Sequence, residues 1–186
     1  VWTPDVDGTY FDGGSIHVSG TDTNQDGCDD AVILHEVGHY VMAALVGPSG
    51  PGGDHFACAE GIEPQLLDRR MAFSEAFASA FSCFARSDSR MIELGVPAPI
   101  DLETPCTQAL GPGAEFPVAS VLWDLVDGAN GLEDKDNDGI AIPFSSLWTA
   151  VRILETVPHF DIASLADVLV KGDALTTLQW NAAFEK

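Results

Sequence analysis

The chain has 186 residues and a mass of 19.7 kDa, with a hydrophobic fraction of 46% and mean hydropathy +0.11, so folding can remove about 70% of its unfolded surface from water around one core. Disorder is excluded by that apolar content, and a membrane span by the longest apolar stretch, Ala31 to Gly47, being broken by His35, Glu36 and His39. Eight Lys plus Arg against 29 Asp plus Glu give a net charge of -21, which repels phosphate backbones and anionic headgroups and argues against nucleic acid and membrane surfaces as partners.

Taken in chain order, the first element lies between Thr9 and Ser19. There Tyr10, Phe11, Ile16 and Val18 flank Gly13-Gly14, which predicts a short hairpin or edge strand. His17 on it reads as a surface side chain. Asp29 and Asp30 are good helix N-caps, and the run to Val46 stays helical until Gly47-Pro48 ends it. A Gly- and Pro-rich loop follows from Gly47 to Gly61. Asp68 to Ala85 predicts a second long helix, mostly buried through Met71, Phe73, Ala76, Phe77, Ala80, Phe81 and Phe84. Further helices are predicted at Phe116 to Val126, Pro143 to Thr156, Asp161 to Lys171 and Asp173 to Phe184. Trp123 and Trp148 fall on these helices and read as core. The expected fold is α+β, a single mostly helical domain over residues 1–186 with a small N-terminal sheet or hairpin.

Cys28, Cys58, Cys83 and Cys106 include no CxxC pair, which disfavours a zinc ribbon. Two disulfides are expected: Cys58–Cys106 joining Pro/Gly-rich loops, and Cys28–Cys83 joining the flanks of helices. Val1 is not a start methionine and no charged-then-apolar leader follows it, so the chain reads as a processed, secreted protein, expected to be a monomer.

The sharpest signal is His35-Glu36-Val37-Gly38-His39. On a helix it sets two imidazoles one turn apart on the same face, where both reach one zinc ion, while Glu36 can accept a proton from an activated water. A catalytic zinc needs a third protein ligand and an open fourth position. The metzincin extension fails, because Met42 and Leu45 stand where it needs Gly and His. Glu75, inside the second apolar helix, is the preferred ligand, since a carboxylate there is costly without a cation. His55, Glu60 and Glu63 in the intervening loop are the rivals. For a developing oxyanion the candidate donors are His55 and His159, with Tyr10 and Arg70 as outsiders.

The motif His35-Glu36-x-x-His39 with the later Ser74-Glu75-Ala76-Phe77-Ala78 resembles the gluzincin clan of zinc metallopeptidases, of the bacterial secreted type. That resemblance implies a zincin-like fold, zinc held by His35, His39 and Glu75, and Glu36 as general base in hydrolysis of peptide or protein substrates. The stretch Asp68-Arg69-Arg70-Met71-Ala72-Phe73-Ser74-Glu75 is similar to a pattern of secreted members. Two departures stand out. Ser79 occupies the position where thermolysin-like members carry an Asp that orients a zinc histidine, and the gap between His39 and Glu75 is long.

Asp134-Lys135-Asp136-Asn137-Asp138-Gly139 reproduces the first half of a calcium loop, with Asp134, Asp136 and Asp138 as ligands to Ca2+. Position twelve is Ser145, so Asp127, Glu133, water or backbone oxygen must complete it. A fainter copy at Asp22, Asn24 and Asp26 precedes the HExxH helix. The rival to an enzyme is a non-catalytic extracellular zinc- and calcium-binding structural or adhesion module, its fourth zinc position closed by His55 or Glu60.

Overall fold

The computed structural model describes residues 1–3, 8–20, 25–47, 67–92, 99–104, 111–129, 131–132, 134–135 and 139–184. Among the described residues, three short strands lead the chain: β1 (Trp2–Thr3), β2 (Tyr10–Phe11) and β3 (Ile16–Ser19). Their order is β1-β3-β2, with β1 parallel to β3 and β2 antiparallel to it. The expected hairpin is β2–β3. Its turn uses Gly13 at φ 91, a backbone region in which a side chain is disfavoured, and the Asp12 carboxylate accepts from the Gly14 and Ser15 N–H groups. The Asp12 carboxyl is held at about 2 by those backbone bonds and by His17. His17 is only partly exposed, stacked on Tyr10 with ring centroids 4.7 Å apart.

Six helices follow. Asp29 caps α1 (Asp30–Val46) by accepting from the Ala31 and Val32 N–H groups, and Gly47 ends it at φ 86. Asp68 caps α2 (Arg69–Arg86), which stops at Ser87 in the left-handed region. After β4 (Arg90–Met91) and β5 (Ile100–Asp101), an antiparallel pair that periodicity did not signal, come α3 (Glu115–Asp124) and α4 (Phe144–Ile153). An Asp161/Ser164 capping box opens α5 (Ile162–Lys171). The last helix, α6 (Thr177–Phe184), begins later than expected. Asp173 sits at φ 55 in the turn after α5 and cannot start a helix in that conformation.

α2 is the central element, packed by α1 on one side and α3 on the other. Phe73, Ala76, Phe77, Ala80 and Cys83 of α2 enter the core with Leu102, Leu122, Trp123, Leu154 and Leu165. Trp148 packs edge-on against Phe77 and Phe81, and Phe84 stacks on Trp123, so both tryptophans serve the core as expected. α1 and α2 cross at close range. A Cβ built on Gly38 would lie 2.7 Å from Ala78 Cα and 3.1 Å from its carbonyl oxygen, distances that only a glycine permits. Nearby, the Ser82 hydroxyl donates to the Ala31 carbonyl at 2.9 Å.

The expected Cys28–Cys83 bond is absent: both are free thiols, Cys28 exposed and Cys83 buried. Ser82 is the residue that faces the first turn of α1, and the next residue points about 100° further round the helix, which turns Cys83 into the core. Cys58 and Cys106 lie outside the described residues.

Gly38→Ala is expected to destabilise the protein by about 1–3 kcal/mol or more, because backbone rather than a movable side chain must give way; urea unfolding checks this. Burial pushes the Cys83 thiol up to about 12. Alkylation of the native protein at pH 8, read by peptide mass spectrometry, should therefore modify Cys28 and spare Cys83.

Candidate metal centre

The α1–α2 crossing brings together residues far apart in sequence. His35 Nε2 lies 3.1 Å from His39 Nε2, and Glu75 Oε2 lies 3.3 Å and 3.1 Å from them. His35, His39 and Glu75 form a group whose ligand atoms lie within 4.8 Å of one another, and it is the one such group of three among the described residues. Two imidazole nitrogens and one carboxylate oxygen are a donor set suited to zinc. Tetrahedral ligands at about 2.0–2.1 Å from Zn2+ stand about 3.3 Å from each other, close to the triangle observed. The three side chains keep 13%, 15% and 13% exposure, so solvent reaches the centre.

Charge around the triangle favours a cation. Burial pulls the His35 imidazole down, but its hydrogen bond to Glu75 and the charges of Glu115, Glu36 and Glu75 outweigh that and leave it raised. Glu36 is 7% exposed. Burial raises its pKa; His35, His39 and a backbone hydrogen bond from Phe11 act the other way. A carboxylate of raised basicity beside a metal centre is a suitable proton acceptor. β2 is the strand that carries Phe11, so the sheet edge and the HExxH helix meet at Glu36.

Polar contacts behind the triangle were not read from the sequence. His35 Nδ1 lies 3.2 Å from Ser79 Oγ, and the Ser79 hydroxyl donates to Glu115 Oε1 at 2.9 Å. His39 Nδ1 lies 3.4 Å from Ser74 Oγ. Ser79 was noted only as the replacement for an expected Asp; its position one turn after Glu75 was the available signal, while nothing in the sequence linked Glu115 to α2.

His159 and Arg70 come together: an Arg70 Nη1–H donates to His159 Nδ1 at 3.1 Å. Arginine is always a donor, so the neutral ring carries its proton on Nε2 and can donate there. His159 is exposed and sits at φ 56, and the neighbouring Phe160 packs edge-on against Phe73 of α2. Together these contacts hold the turn against the start of α2, one turn before Ser74.

His55, Glu60 and Glu63 lie outside the described residues, as do Asp22, Asn24, Glu133, Asp136 and Asp138. Asp26 is buried in a 3-10 turn ahead of α1. Asp134 packs over Gly128, and the next residue anchors its loop. The Lys135 N–H donates to Glu103, and its Nζ donates to Ser89 Oγ at 2.7 Å and to Asp101.

A helix bearing HExxH is thus crossed by a second helix bearing a glutamate, and the crossing gathers two imidazoles and one carboxylate that could hold a metal ion. Residues 1–153 match the family described as the mycolysin C-terminal domain, and the chain belongs to that family. Membership relates it to secreted zinc metalloproteases. Neither a curated protein nor a solved structure matches the chain. No helix among the described residues is long and apolar enough to cross a membrane.

If the triangle holds zinc, His39→Ala should lower zinc affinity by several orders of magnitude while leaving the helical circular dichroism intact, since His39 is only partly buried. Equilibrium dialysis against buffered zinc measures the first, and far-ultraviolet spectra the second.

Proposed function

We propose that this chain is a secreted, zinc-dependent endopeptidase that hydrolyses peptide bonds in protein substrates. The observation carrying this reading is the 3.1–3.3 Å triangle of His35, His39 and Glu75 with a buried Glu36 beside it. Zinc held there would supply Lewis-acid polarisation of a carbonyl and a water more acidic than in bulk. Glu36 takes the proton of the attacking water and passes it to the leaving amine nitrogen. His159, its Nδ1 occupied by Arg70, offers Nε2–H to the developing oxyanion. An extended substrate adds to the β2 edge, alongside the backbone that hydrogen-bonds Glu36. Calcium at the 134–139 loop is a further part of this proposal, resting on the spacing of its aspartates.

Glu36→Gln should retain zinc at one equivalent while casein cleavage falls by orders of magnitude; unchanged turnover would remove Glu36 from the general-base role. His159→Ala is expected to lower kcat about 100-fold or more with zinc content unchanged. Zinc bound by the unaltered chain without cleavage of any unfolded protein would favour the non-catalytic cation-binding module instead.

A further inference from the structure

Ser79 lies one turn after Glu75 on α2 and is 1% exposed; Glu115, the first residue of α3, is 6% exposed. The serine hydroxyl has one proton, and it is directed to Glu115 Oε1 at 2.9 Å. The Ser79 oxygen can then only accept towards His35, whose Nδ1 stands 3.2 Å away. In the neutral ring that a metal requires, donation from Nδ1 leaves the lone pair on Nε2, and Nε2 is the atom facing His39 and Glu75. The chain of contacts therefore runs from a buried carboxylate on α3, through a hydroxyl on α2, to a histidine on α1.

Resting on the zinc reading above, we infer that Ser79 and Glu115 are a two-residue positioning relay that fixes the tautomer and orientation of His35 for metal binding. The hydroxyl extends the reach of a carboxylate that stands on a different helix. A histidine ligand usually hands its second N–H to a carboxylate or carbonyl directly, and loss of that partner weakens the metal. Here the acid is supplied by α3, so closure of α3 onto α2 becomes a condition for tight zinc binding. Both residues are buried and act through His35.

The test is the zinc dissociation constant of the full chain, measured by competition with a chromogenic chelator. Ser79→Ala should weaken zinc about 10–100-fold with unchanged far-ultraviolet circular dichroism. The double variant S79D/E115Q, which returns a carboxylate to His35 from α2 itself, should recover most of that loss, as a purely space-filling role for Ser79 would not. If Ser79→Ala does not fold, Glu115→Gln carries the same test, with about a tenfold weakening expected. A folded Ser79→Ala or Glu115→Gln within about threefold of the parent overturns the relay and leaves the zinc reading standing. A parent chain that binds no zinc removes both.

Discussion

The close approach of α1 and α2 is the constraint on which the rest depends. Gly38 lets the backbone of Ala78 come within a distance that any β-carbon would block. At a wider spacing, His35 and His39 on one helix could not meet Glu75 on the other at 3.1–3.3 Å. Gly38, just before the second histidine of the motif, is therefore as necessary to the convergence as the three side chains that meet, through packing alone. Ser82 on Ala31 ties the same pair of helices again towards the start of α1.

Gathering three lone-pair-bearing atoms in a partly buried place is costly without a cation or protons between them. The remainder of α2 offsets that cost. Its other faces carry Phe73, Phe77 and Phe84 into contact with Phe160, Trp148 and Trp123, a rigid apolar base that holds Glu75 in position. One helix thus presents a polar stripe of Ser74, Glu75 and Ser79 to α1 and an aromatic surface to the core. Glu115 joins the polar stripe because α3 packs against α2 at that level.

The family match ends at residue 153, which includes α1 to α4 and the whole metal triangle. His159 lies beyond it, yet reaches Arg70 at the start of α2 across a long stretch of chain. The triangle of His35, His39 and Glu75 thus lies inside the match, and the histidine proposed to assist it lies outside. The α+β, mainly helical architecture joins them, since Phe160 and Ile162 are buried in the same core as α2.

Helix limits and the HExxH pairing were legible in the sequence because they are local. Asp29, Asp68 and Asp161 cap by bonding N–H groups two or three residues away, and His35 and His39 share a face by helical period alone. That Glu75 would face the two histidines was also readable, since a carboxylate inside an apolar helix calls for a polar partner. β4 and β5 were not readable: two-residue strands carry no periodicity, and their pairing depends on the chain returning past the end of α2. The Cys28–Cys83 pairing failed because proximity along two packed helices does not say which residue of a turn faces across; Ser82 does, and Cys83 does not. By itself, then, the sequence determined most of the helices, their caps and which three side chains would converge at the crossing. Only the tertiary structure decided that Ser79 leads to Glu115 and Arg70 to His159, because those contacts join residues whose separation along the chain leaves no local pattern.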